Sequence, residues 1–124
     1  MSHFELKNKV VIVTGAAGGI GQVISREFAL AGATVVLTSR NEEALQETEK
    51  KLADTSTRSI QTDITKPDSV ENLINAAVSE FGHIDVIINN AGGGVMPCEP
   101  EDTSYEDWVR MIDVNLTGTF NCCM

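Results

Sequence analysis

Four short stretches hold groups able to do chemistry. Thr14-Gly15-Ala16-Ala17-Gly18-Gly19-Ile20-Gly21 follows the apolar run Val10–Val13 and leads into an amphipathic segment. A strand that ends in a glycine-rich turn and feeds a helix is a phosphate cradle. Glycines let the backbone turn sharply and let a ligand approach where a Cβ would collide. The helix then offers unpaired N–H groups and the positive end of its dipole to an anion. The anion this pattern suits is the pyrophosphate of a dinucleotide. Thr38-Ser39-Arg40-Asn41 closes a second apolar run and offers a hydroxyl and a guanidinium. Asp63 follows a third run, and Asn89-Asn90-Ala91-Gly92 follows a fourth. Cys98, Cys122 and Cys123 form neither an even set nor a C-x-x-C, and the histidines are His3 and His83. We therefore expect free thiols in a reducing compartment, no catalytic cysteine and no metal site.

The elements that must position these groups alternate along the chain. Val10–Val13 is a short continuous apolar run, as in a strand buried on both faces. Ile20, Val23, Ile24, Phe28 and Ala31 recur at helical spacing, and Gly32 closes that helix. Val35-Val36-Leu37 is the second strand. Asn41 caps a helix with Glu42 and Glu43 in its first turn and Leu45, Thr48 and Leu52 as its inner stripe. Ser59-Ile60-Gln61 reads as the third strand. Thr65-Lys66-Pro67-Asp68 resembles a capped helix start. Val70, Leu73, Ile74, Ala77, Val78 and Phe81 form the clearest helical stripe, ended by Gly82. Asp85–Ile88 is the fourth strand, and a loop rich in glycine, proline and acid runs from Gly92 to Asp102. Thr103-Ser104-Tyr105-Glu106 offers a capping box. From Trp108 the pattern is helical through Ile112, Leu116 and Phe120.

This alternation predicts one α/β domain over residues 1–124, a Rossmann-type doubly wound parallel sheet with strand order 3-2-1-4. The glycine turn then falls at the topological switch point, where ligands bind beyond the carboxyl ends of the strands.

The chain has 124 residues, of which 42% are hydrophobic, enough for a core. Its formal net charge of −9 argues against nucleic-acid binding, which needs a basic footprint. The acid, from Glu42 to Asp107, reads as solvated helix faces and one loop. No apolar run approaches the ~20 residues of a membrane span, and residues 1–9 lack a signal-peptide h-region. A cytoplasmic protein is the expectation.

The glycine spacing is T-G-x-x-x-G-x-G. Together with Asp63, Asn89-Asn90-Ala91-Gly92 and Asp113-Val114-Asn115-Leu116-Thr117-Gly118, in this order, it resembles the amino-terminal half of the short-chain dehydrogenase/reductase family. The match runs from about Lys7 to the last residue. The resemblance implies that Gly15, Gly19, Ile20 and Gly21 shape the pyrophosphate turn, with Thr14 helping to hold it. It implies that Asp63 accepts from the adenine amino group with Ile64 flanking the base. Asn90, Ala91 and Gly92 would line the cofactor beside the ribose, and Asn89 would brace the backbone. Asn115 matches the asparagine of the family's catalytic tetrad, whose carbonyl positions a water in a proton relay. Plainer readings stay open: Asp63 as a helix-entry residue, the asparagines as turn formers, and Asn115 as a polar residue that bends a helix.

In this family a carboxylate at the end of the second strand binds the ribose hydroxyls of NAD and repels a 2′-phosphate. Here that tip has no acid. Ser39 can donate to a phosphate oxygen, and Arg40 can pair with it or stack on the adenosine. NADP(H) is therefore the expected cofactor, preferred over NAD(H). Gly18 stands where NADP-preferring relatives often carry a second basic residue, and a solvated Arg40 is the plainer alternative.

The resemblance further implies hydride transfer between nicotinamide and a small carbonyl or alcohol, as in ketoacyl-carrier-protein reductases and polyol or sugar-acid dehydrogenases. The family's proton donor is a tyrosine in Y-x-x-x-K, aided by a serine. Here the one tyrosine, Tyr105, is followed four residues on by Val109, and no serine follows Ser104. The chain is thus expected to be a fragment truncated before the fifth strand, lacking catalytic Ser-Tyr-Lys, with the fourth strand left as an open edge and with marginal stability. Homo-oligomer formation through the last helix is expected. The alternatives are a non-catalytic dinucleotide-binding module and a fragment that associates with a full-length homologue.

Overall fold

The computed structural model describes residues 5–92 and 100–124. The apolar runs become strands and the periodic segments helices: β1 (Val10–Thr14), α1 (Gly19–Leu30), β2 (Thr34–Ser39), α2 (Glu42–Lys51), β3 (Thr57–Gln61), α3 (Pro67–Phe81) and β4 (Val86–Ile88). A short 3-10 turn (Pro100–Asp102) leads to α4 (Tyr105–Ile112), a π-helical turn (Asp113–Thr117) and α5 (Gly118–Cys123). The strands form one parallel sheet in the order β3-β2-β1-β4. This is the doubly wound, Rossmann-like α/β arrangement that the alternation predicts. His3, Cys98, Glu99 and most of the loop after Gly92 lie outside the described residues.

Each face of β1 feeds a different core, which is why its sequence is apolar without alternation. Val11 and Val13 join Val35, Leu37, Ala29, Leu45 and Leu52 on the α1–α2 side. Val10 and Ile12 join Val36, Leu73 and Ala77 on the α3 side. Ile12, Leu37, Leu45 and Leu73 are fully buried, each worth roughly 1.5–3 kcal/mol over an exposed side chain. A third cluster of Ile64, Val70 and Cys122 ties α5 to the start of α3.

Helix α1 departs from the expected stripe. Its buried positions are Gly21, Ser25 and Ala29, whereas Ile20 and Val23 are 72% and 62% exposed. Ile24 and Phe28 are half-buried against the core. A row of small residues lets the helix axis come close to the sheet and the turn before it, and the Ser25 hydroxyl donates back to the Gly21 carbonyl at 2.7 Å.

The helix starts also differ in detail. Asn41 caps α2 as expected, its Oδ1 accepting from the Ala44 amide at 3.1 Å. At α4 the cap is Ser104, which accepts from Asp107 N at 3.1 Å, one residue beyond the Thr103–Glu106 box. Helix α3 has no side-chain cap: Lys66 holds that position, Pro67 follows, and Thr65 turns back to Asp63. Strand β3 begins at Thr57, because Thr57 and Arg58 pair with Val35 and Val36 despite their polarity.

Asp85, just before β4, locks that strand to β1. Its carboxylate accepts from Val10 N at 2.8 Å, and its own amide donates to Val10 O at 2.9 Å. His83 Nε2 lies 2.9 Å from the same carboxylate. The Val10 amide, with lesser help from His83 and Lys9, holds the Asp85 carboxyl below the usual carboxylate range against some desolvation. A depressed folded-state pKa stabilises above the unfolded value, near 3.9, and that contribution disappears as pH falls through the folded value. The urea midpoint of Asp85→Ala should therefore lie below wild type at neutral pH. The gap should narrow between about pH 5 and pH 3. A gap that stays constant across that window would contradict the assignment.

Candidate functional site

The glycine turn is built by close approach. Gly15 has φ +65°, and a Cβ there would stand 2.9 Å from the Ala91 Cα. A Cβ on Gly21 would collide with the Gly15 carbonyl oxygen. The Cβ position of Gly19 meets nothing within 4 Å, so the turn opens to solvent there. Gly18 is the N-cap of α1 and provides no side-chain cap. The first-turn N–H groups of α1 are thus left without the capping side chain that Asn41 gives α2 and Ser104 gives α4. An open backbone cradle at a helix start is the geometry a diphosphate needs. Ile20 sits at this same first turn with its side chain outside the core.

Neighbouring elements hold the turn rigid. Ala16 N donates to Thr38 O of β2 at 3.0 Å, and the Thr48 hydroxyl of α2 donates to Ala16 O at 3.3 Å. The Asn90 side-chain amide donates to Thr14 O at 3.2 Å and Gly15 O at 3.3 Å. The Thr14 hydroxyl returns the link, accepting from Asn90 N at 3.0 Å and Ala91 N at 2.9 Å. Thr14 is 1% exposed. Asn90 is therefore the backbone brace that the resemblance assigns to Asn89, while the Asn89 amide reaches Cys123 Sγ at 3.6 Å.

Thr14, Gly15, Ser39, Arg40, Asp63, Ile64, Ala91 and Gly92 converge on one cleft of about 160 Å³ across the carboxyl ends of β1–β3. Whole ligand pockets run to roughly 300–1,000 Å³, so this cleft has room for only part of a long ligand. Thr38, Thr62, Thr65 and Val114 line it too and are absent from the sequence-derived set. A signal for two of them exists in the sequence. Thr14, Thr38 and Thr62 stand at or next to the ends of the first three strands, and the structure buries all three.

The adenine-end candidates are tightly fixed. Asp63 Oδ1 accepts from the Thr65 hydroxyl at 2.6 Å and the Thr65 amide at 3.0 Å. The hydroxyl bond is the main reason the Asp63 carboxyl lies below the usual range. Burial opposes it, while the Thr65 amide, Lys66 and Arg40 add to it. Ile64 is 8% exposed, packed with Val70 and Cys122, and its carbonyl accepts from the Asn121 amide at 2.9 Å. A Cβ on Gly118 would press on the Ile64 side chain at 2.6 Å, which brings α5 hard against this turn.

Asn115 lies in the π-helical turn, beside the cleft-lining Val114. Its Oδ1 is 2.6 Å from where a Cβ on Gly92 would stand, and its Nδ2 donates to Met111 O at 2.9 Å. Its carbonyl accepts from the Thr119 hydroxyl at 3.2 Å. Single π turns inside helices commonly mark functional positions. Among the described residues there is no group of three metal-ligating side chains and no helix long and apolar enough to cross a membrane.

Comparison with known proteins decides the family. The short chain dehydrogenase family model matches residues 9–124. The chain belongs to that family. An uncharacterized oxidoreductase of Staphylococcus saprophyticus is 42% identical over 114 residues, covering 91% of this chain and 46% of its own length. The 3-ketoacyl-(acyl-carrier-protein) reductase of Brucella melitensis, solved with NADH, superposes with a TM-score of 0.90 at 32% identity, covering 96% of this chain and 48% of that one. An NAD+-bound xylitol dehydrogenase gives a TM-score of 0.91 at 31% identity, covering 97% and 47%. The chain spans about half the length of the curated relatives it matches.

Within this short chain dehydrogenase frame, Thr14 is the hub of the site. Thr14→Val keeps the shape but strips the acceptor from two partly buried amides. It should cost about 1–3 kcal/mol in urea unfolding. Unchanged stability would show that the link between β1 and the segment after β4 carries no weight.

Proposed function

We propose that this chain forms the cofactor-holding part of an NADP(H)-dependent oxidoreductase that acts on a small carbonyl or alcohol. The single observation that carries the reading is the cleft joining the braced glycine turn to an acid-free β2 tip bearing Ser39 and Arg40. Gly15, Gly19 and Gly21, with the α1 amides, would hold the diphosphate. Asp63 and Ile64 would hold the adenine end, and Ala91 and Gly92 would flank the ribose. Nicotinamide, when bound, supplies or accepts the hydride. Ser39 and Arg40 would meet the 2′-phosphate.

Asn115 is the tetrad candidate of this chain. Its π-turn carbonyl, already an acceptor for Thr119, would orient a water at the nicotinamide end. The 124 residues contain no Y-x-x-x-K, so proton transfer to the substrate oxygen has no donor of that kind here. Likeness to a 3-ketoacyl-(acyl-carrier-protein) reductase and a xylitol dehydrogenase supports a keto or hydroxy compound as the substrate class.

A homo-oligomer through α4–α5 belongs to the same reading. Trp108, Ile112, Leu116 and Phe120 are 53%, 39%, 64% and 58% exposed, too much apolar surface in one stretch to leave in water.

The test is nucleotide titration by fluorescence. The chain should bind NADPH more tightly than NADH. Arg40→Ala should weaken NADPH by about 10- to 150-fold, the scale of one charge-assisted contact of ~1.5–3 kcal/mol, and leave NADH within twofold. Equal loss for both, or tighter NADH binding by wild type, would replace this reading with an NAD(H) one. The isolated chain should reduce no carbonyl substrate, and turnover in a reductase-free preparation would contradict the missing-donor argument. In sedimentation, Leu116→Glu should dissociate the oligomer.

A further inference from the structure

Arg40 is exposed at the end of a turn, and an exposed arginine discriminates only as well as its backbone is aimed. Three bonds aim this one. Thr62 N donates to Ser39 O at 3.0 Å, continuing the β2–β3 ladder past Ser39↔Gln61. Asn41 N donates to Ser39 Oγ at 3.2 Å. That contact occupies one lone pair of Ser39 and leaves its O–H as a donor. Third, the Gln61 side-chain amide donates to the Arg40 carbonyl at 3.0 Å. Of these, the Gln61 bond is the side-chain link that reaches Arg40 itself. It fixes the Arg40–Asn41 peptide plane, and with it the direction in which the Arg40 side chain leaves the turn.

We infer that Gln61 is a specificity-positioning residue: its amide holds the Ser39-Arg40 tip in the orientation that favours a 2′-phosphate over a 2′-hydroxyl. The inference rests on the NADP(H) reading above. Gln61 does not line the cleft, and its side-chain amide is spent on the Arg40 carbonyl, so the role assigned to it is through Arg40. Its position, opposite Ser39 in the parallel register, is what lets a side chain of this length span to the next strand's exit.

The test combines Gln61→Met with Arg40→Ala in a double-mutant cycle, read as dissociation constants for NADPH and NADH on the full chain. Methionine keeps the length and removes the donor. Gln61→Met should weaken NADPH about fivefold, the scale of one neutral hydrogen bond, and leave NADH within twofold. In the Arg40→Ala background, Gln61→Met should change the NADPH/NADH ratio no further, because coupled residues are non-additive. Equal weakening of both nucleotides would make Gln61 a merely structural residue and overturn the inference. So would a full fivefold effect in the absence of Arg40. If wild type shows no NADPH preference, the NADP(H) reading fails first and this inference with it. If wild type prefers NADPH and Gln61→Met retains the ratio, only the inference fails.

Discussion

The site depends on a single reciprocal contact. The Asn90 amide holds the carbonyls of Thr14 and Gly15, and the Thr14 hydroxyl holds the amides of Asn90 and Ala91. Without it, the segments that leave β1 and β4 would have only the strand pairing of Val13 with Ile88 to keep them side by side. With it, Gly15 is pressed so near Ala91 that no side chain fits. Gly21 then packs on the Gly15 carbonyl, and α1 follows with its small-residue face inward. Close backbone approach at this turn thus seats the start of α1 on Gly15, where its first amides have no capping side chain.

Much of this was legible because it is periodic or punctuated. The run Val10–Val13, the α3 stripe Val70, Leu73, Ile74, Ala77 and Phe81, and the stops at Gly32 and Gly82 follow from burial and from φ values that only glycine adopts easily. Val78, expected in that stripe, is 44% exposed because it lies at the stripe's edge. The Asn41 cap was legible for the same local reason. What escaped is tertiary. An apolar stripe on α1 is the ordinary expectation, yet close packing on the turn outweighs it, so Ile20 and Val23 face outward. The α4 cap is Ser104 and not Thr103 because the helix begins at Tyr105, one residue later than the Thr103–Glu106 pattern places it.

The site residues divide in the same way. Gly15, Arg40, Asp63 and Ala91 announce themselves by motif and position, and all line the cleft. Thr48 and Gln61 do not, because their partners, Ala16 and Arg40, are 32 and 21 residues away. A threonine in an apolar stripe and a glutamine at a strand end look unremarkable until the fold brings a carbonyl to them. That Asn90, and not Asn89, braces the turn is subtler still. Successive residues leaving a strand point in opposite directions, so one faces the turn and the other faces α5.

The link between Thr14 and Asn90 spans 76 residues of sequence. Local turns and helices can form early, but a contact of that separation has to wait for most of the chain. On the ribosome, the first strand and its glycines therefore emerge long before anything can fasten them. They gain the shape described here only when Asn90 clears the exit tunnel and β4 docks on β1.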